Sequence, residues 1–153
     1  MALYLVQHGK SLSKDVDPEQ GLSEEGTAET TRIAQVARDY QISVSHIKQS
    51  GKKRARQTAE IFAAALNPAG GVKEVSGLKP LDDIAAFAAT IDATADTMLV
   101  GHLPFMERMT AYLVTGSADK PIFKFQNSGI VCLEKDPDSG SWIIVWTLMP
   151  KIG

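Results

Sequence analysis

Residues 3–9 read Leu-Tyr-Leu-Val-Gln-His-Gly, and this stretch decides the fold. Leu3 to Val6 is a short apolar run with the character of a buried strand. It ends abruptly in an imidazole and a glycine. Open α/β sheets place their chemistry outside the carboxyl ends of their strands, which is where His8 falls. Gly9 lets the backbone turn there.

Working outward, strand-like and helix-like segments alternate. Ser23 reads as an N-cap, with Glu24 and Glu25 in a first turn whose dipole favours acids. Ile33, Val36, Ala37 and Tyr40 follow at i, i+3, i+4, i+7, the spacing of one apolar helix face. Val44–Gln49 predicts a second strand. Ala59, Phe62, Ala63 and Leu66 predict a second helix, stopped by Asn67-Pro68 and Gly70-Gly71. Val72–Val75 is a short third strand, and Ile84, Phe87, Ala88 and Ile91 mark another helix. Thr97–Gly101 is a compact strand followed by His102. Pro104 suits a first helical turn, continued by Met106, Met109, Thr110 and Leu113. Gly129–Glu134 and Trp142–Leu148 form a hairpin with a polar turn, and Trp142, Ile144, Trp146 and Leu148 are expected to share one core face. The expected fold is α/β: three layers, a mostly parallel sheet with helices on both faces, and a C-terminal β-hairpin.

Composition sets bounds. The 153 residues are expected to form a single domain, 1–153, large enough for a sizeable core. A formal net charge of −2 gives no footprint for nucleic acid or an anionic membrane. The lone Cys132 excludes an internal disulfide and a cysteine-built zinc site, and reads as a small core residue. The apolar stretch Ala2–Val6 is too short for a signal peptide, and no run approaches a membrane span, so a cytoplasmic protein is expected.

Three segments carry chemistry, each at the end of a predicted strand. They are Gln7-His8-Gly9-Lys10-Ser11, Ser50-Gly51-Lys52-Lys53-Arg54-Ala55-Arg56-Gln57-Thr58, and Val100-Gly101-His102-Leu103-Pro104. The second puts Lys52, Lys53 and Arg54 at the start of a helix, where the dipole is already positive. Cations placed there make sense facing a bound anion, which a helix N-terminus itself attracts. Arg adds a planar fork matched to phosphate oxygens. Two imidazoles, a guanidinium and helix N-termini on one sheet edge describe a phosphoryl site. One neutral imidazole attacks phosphorus, and the other stabilises the equatorial oxygens. This chemistry calls for no metal and no cofactor.

The three motifs in this order resemble the histidine phosphatase superfamily, whose signature is Arg-His-Gly after the first strand. It also carries Ser-Pro-x-x-Arg-Ala-x-Gln-Thr after the second, and a late Gly-His or Ser-His. The short chain, the segment Gly21-Leu22-Ser23-Glu24-Glu25-Gly26 and the Gly101-His102-Leu103-Pro104 ending resemble its small bacterial SixA-type phosphohistidine phosphatases. The resemblance implies a phosphoglycerate mutase-like fold with His8 as nucleophile. Arg54 and His102 would be the other catalytic residues, both on the phosphoryl group. Gln7, Gly9, Lys10 and Lys52 would line its place, while Gln57 and Thr58 would support. Asp82 and Asp83 are the candidates for a general acid, against the plainer reading as charges at a helix start.

Two positions depart from the pattern: Gln7 replaces the motif arginine, and Gly51 its proline. Loss of one preorganised donor to a transition-state oxyanion costs roughly 10²–10³ in rate, which a neutral amide recovers in part. Lys10, Lys52 or Lys53 could restore the charge. The implied function is a slow phosphatase acting on a protein phosphohistidine, such as a phosphorelay domain, and releasing inorganic phosphate. The alternatives are a non-catalytic phospho-ligand-binding member of the same fold and a phosphatase of small phosphomonoesters. His46 matches no motif and is expected to be structural, and Arg56 to be solvated.

Overall fold

The computed structural model describes residues 1–152. Its strands are β1 (Ala2–Gln7), β2 (His46–Gln49), β3 (Val72–Glu74), β4 (Thr97–Gly101), β5 (Ile130–Lys135) and β6 (Trp142–Leu148). They form one sheet in the order β3-β2-β4-β1-β5-β6. The first four are parallel, and the C-terminal hairpin β5–β6 adds antiparallel to β1. The helices are α1 (Glu24–Asp39), α2 (Lys53–Leu66), α3 (Ile84–Ala88) and α4 (Phe105–Thr115). None is long and apolar enough to cross a membrane, among the described residues.

The alternation of β1 explains the two layers. Tyr4 and Val6 join Ile33, Ala37, Ala59 and Phe62 in a core under α1 and α2. Leu3 and Leu5 point the other way, into a core with Phe87, Phe105, Met106 and Met109 under α3 and α4. Successive strand residues face opposite sides, so a strand covered on both faces must be apolar throughout.

Local signals place the helix ends well. The Ser23 hydroxyl accepts from the Gly26 N–H at 3.0 Å, the N-cap expected of it. Asn67 ends α2 in the left-handed conformation at φ 49°. Tyr40 departs from the sequence reading: it is 80% exposed at the C-cap of α1, and Ala34 is buried in the helix face instead. The third helix stops at Ala88 and excludes Ile91, and Pro104 sits at the N-cap of α4 rather than inside its first turn.

The hairpin carries the main correction. A bulge opposite Cys132 and Leu133 pairs them with Trp146 and Ile144, leaving Val145 as the extra residue. One inserted residue reverses which face the following side chains take. Trp142 and Ile144 therefore pack with the α3–α4 core, and Trp146 and Leu148 with the α1–α2 core. The four do not share a face.

Candidate active site

Strands β1 and β4 lie side by side with Gln7 opposite Gly101, and the His8 N–H donates to the Gly101 carbonyl at 3.0 Å. From β1 the chain runs on to α1 on one face of the sheet; from β4 it runs to α4 on the other. Connections that diverge from adjacent parallel strands open a crevice at their carboxyl ends. His8 and His102 stand there, ring centroids 5.0 Å apart and planes inclined by 51°.

The hydrogen bonds assign the ring nitrogens. His8 Nδ1 lies 2.7 Å from the Gly9 carbonyl. A carbonyl only accepts, so Nδ1 carries the hydrogen and Nε2 keeps a free lone pair. Burial lowers the His8 pKa to about 4; the Gly9 bond opposes this and the Arg54 charge adds to it. His102 is buried, with Nε2 2.6 Å from the Ser50 hydroxyl. That hydroxyl oxygen also accepts from the Lys52 N–H at 3.4 Å, and His102 Nε2 is the one acceptor within reach of its own hydrogen among the described residues. The His102 hydrogen then sits on Nδ1, which is buried without a partner among the described residues. Burial first, then the charges of His8, Arg54 and Lys52, hold the His102 pKa at about 3. At neutral pH both rings are uncharged: one offers a nucleophilic nitrogen, the other an unspent N–H.

The start of α2 supplies positive potential. Lys52 is its N-cap residue, with no side-chain cap bond and no acid in the first turn. The guanidinium of Arg54 is half-buried without an ion-pair partner among the described residues, and burial pulls its pKa down. Lys53 is held by Asp17 at 2.9 Å and Lys10 by Glu25 at 2.8 Å. Of the three lysines, Lys52 alone keeps its ammonium group unpaired among the described residues. Arg56 is exposed, as expected.

Gly9 explains the tight turn after His8. A Cβ there would lie 2.5 Å from Thr30 Oγ1. Its N–H donates to Thr58 Oγ1 at 2.9 Å, and Thr58 in turn donates to the Arg54 carbonyl at 2.7 Å, so one hydroxyl ties the His8 loop to α2. Gln57 accepts the Leu22 N–H at 2.7 Å. Thr58 thus holds the turn after His8, and Gln57 the segment that enters α1.

Several contacts escaped the sequence. Asn127 Nδ2 donates to the His8 carbonyl at 2.9 Å, and the Ser128 N–H to the Gln7 carbonyl at 2.9 Å. Ser128 is buried at φ 69° with its hydroxyl 2.7 Å from Thr30 Oγ1. No spacing in the sequence links residues 127–128 to the β1 turn. Ser50 lay inside a motif, but its bond to His102 depends on β2 and β4 pairing.

The remaining candidates sit at the rim. Gln7 keeps its amide oxygen buried without a partner among the described residues, so the NH₂ end is its open end. Asp83 caps α3 by accepting the Ala86 N–H at 3.0 Å, and Asp82 accepts the Lys79 N–H at 2.9 Å. Both line a cavity of about 760 Å³ that Ser50, Gly51 and Lys52 border on the other side. No group of three or more His, Cys, Asp or Glu converges on a metal position among the described residues. His46 begins β2, its ring packed against Gly70, away from the crevice.

This fold and crevice define an α/β domain of the phosphoglycerate mutase-like class. Residues 3–85 match the model of the histidine phosphatase superfamily (branch 1), to which the chain belongs. The match takes in His8 and Arg54; His102 lies beyond it. A protein of Picosynechococcus described as uncharacterized is 31% identical over 142 residues, 87% of this chain and 84% of that one. The protein histidine phosphatase SixA solved with tungstate superposes with a TM-score of 0.85 at 24% identity, over 98% of this chain and 97% of that one. A candidate phosphohistidine phosphatase SixA of Agrobacterium tumefaciens gives 0.76 at 25% identity, over 97% of each chain.

Proposed function

We propose that this protein is a phosphatase that takes a phosphoryl group from a protein phosphohistidine onto His8 and passes it to water. The observation that carries this reading is the state of the two imidazoles: His8 Nε2 has a free lone pair, and His102 Nδ1 has an unspent buried donor. In the first step Nε2 attacks phosphorus, the P–N bond to the leaving imidazole breaks, and a P–Nε2 bond forms. In the second step water attacks, the P–Nε2 bond breaks, and inorganic phosphate leaves. His102 Nδ1–H, the Arg54 guanidinium and the free N–H groups of the first turn of α2 face the equatorial oxygens, where charge develops. The Gln7 amide donates where the family motif brings a charge, and Lys52 supplies a cation beside it. The likeness to SixA-type structures supports the substrate class.

The test is phosphate release from a phosphohistidine peptide and from p-nitrophenyl phosphate. His8→Ala abolishes release and His46→Ala retains it. Equal release by the wild type and His8→Ala refutes the enzyme. Gln7 favours one second reading, a module that binds a phosphorylated partner without turnover. Vanadate binding with no turnover, not rescued by Gln7→Arg, establishes that alternative.

A further inference from the structure

Gly51 stands where the family motif has proline, and a carboxylate takes up the room this leaves. A Cβ on Gly51 would lie 2.8 Å from Glu74 Cδ and 3.0 and 3.1 Å from its two oxygens. The Glu74 carboxyl group therefore rests directly on the Gly51 backbone. Gly51 has φ +94°, whereas a proline ring demands about −65°. Glycine at 51 and glutamate at 74 are thus one arrangement. It sets an acid on the turn that leads into Lys52 and Arg54.

Glu74 is the last residue of β3 and faces the 760 Å³ cavity alongside Ser50, whose hydroxyl holds His102. The other charged groups in the lining are Lys52, Lys79, Asp82 and Asp83. Asp83 is spent on the cap of α3 and Asp82 on the Lys79 N–H. Glu74 has neither hydrogen bond nor ion pair among the described residues. Its carboxylate is exposed in that cavity, beside the turn that carries Lys52 into α2.

We propose that Glu74 selects the leaving group, by accepting a hydrogen bond from the free ring N–H of a phosphorylated imidazole. The inference rests on His8 being the phosphoryl acceptor. A phosphoimidazole protonated on its second nitrogen loses its phosphoryl group to His8 as a neutral imidazole. The electron pair of the breaking P–N bond stays on the departing nitrogen, and the other nitrogen keeps its hydrogen. No acid has to donate a proton in this step. A carboxylate on that N–H favours the protonated, better-leaving form and offers nothing to a phenolate.

The experiment measures kcat/KM of Glu74→Gln and Glu74→Ala on a phosphohistidine peptide and on p-nitrophenyl phosphate. The ratio of the two values cancels any loss of folded enzyme. The expected result is a fall in the ratio of about tenfold for Glu74→Gln, the difference between a charge-assisted and a neutral hydrogen bond. Glu74→Ala falls at least as far. A ratio within twofold of wild type in both variants, or one that rises, overturns the role of Glu74 and leaves His8 chemistry intact. Wild-type release from p-nitrophenyl phosphate but not from the peptide overturns both this role and the phosphohistidine substrate. Release from neither overturns the phosphatase itself.

Discussion

Lowering the pH from 7 to 5 should destabilise this protein through the imidazoles of His8 and His102. Unfolded histidine titrates near 6.5, whereas burial holds His8 at about 4 and His102 at about 3. Between those values the unfolded chain binds protons that the folded protein refuses, so stability is full above 6.5 and falls as the pH drops. At pH 5 the unfolded rings are almost fully protonated and the native rings are almost all neutral. Each site then costs about 2 kcal/mol relative to pH 7. Because neither native ring is charged at pH 5, their mutual repulsion hardly enters and the costs nearly add, to about 4 kcal/mol. The carboxylates with depressed pKa values, among them Asp17 and Glu25, act in a lower window. They keep their contribution above the unfolded carboxylate range and lose it only as the pH falls through their folded values. Urea unfolding at pH 7 and pH 5, for wild type and for the double variant His8→Asn/His102→Asn, isolates the effect. The variant should lose little between the two pH values. An equal loss in both proteins refutes the reasoning, as does an NMR titration placing either native imidazole near 6.5.

Other substitutions probe separate parts of the argument. Ser50→Ala frees His102 Nε2 to take the ring hydrogen, so kcat for phosphate release should fall about 10²-fold, with KM little changed; a KM effect alone would place Ser50 outside the chemistry. Gln7→Arg restores a charged donor and should raise kcat/KM about tenfold or more, read from the same release assay; no gain would show that Lys52 or the helix start already fills that role. Phe62→Ala empties a fully buried site under α2 and should cost about 3–5 kcal/mol in urea unfolding; a loss under 1 kcal/mol would mean the layer collapses around it.

The parts of this structure that were legible in sequence are those set by local patterns. The apolar run Leu3–Val6, the cap at Ser23 and the stop at Asn67 each depend on a few adjacent residues, and each is found in place. The bulge at Val145 was not legible, because period-two alternation in Trp142–Leu148 reads the same with or without an inserted residue on the strand. Tyr40 kept the helical spacing but fell at the C-cap, past the last buried turn of α1, where it is left exposed at the mouth of a groove beside Ile42 and Trp146. In the site, His8, Arg54 and His102 announced themselves because strand ends gather on one sheet edge. Asn127, Ser128 and Glu74 did not, because their placement follows from strand order: β5 beside β1, and β3 beside β2.

The two departures from the family motif have different physical consequences. Gln7 occupies the same strand position as the arginine it replaces, and changes only what the end of β1 can donate: two amide hydrogens without a charge. Gly51 changes geometry. Its φ of +94° and the carboxyl of Glu74 against its backbone reshape the turn that opens α2. The first change weakens attraction for any phosphoryl group, whatever it is attached to. The second alters the cavity wall beside Ser50 and Lys52, where the proposed leaving group would rest, and leaves the proposed phosphoryl ligands alone. A site so altered should lose more rate on generic phosphomonoesters than on a substrate whose leaving group carries an N–H. Restoring Gln7→Arg should therefore raise turnover of both substrate types by similar factors, and changing Glu74 should separate them.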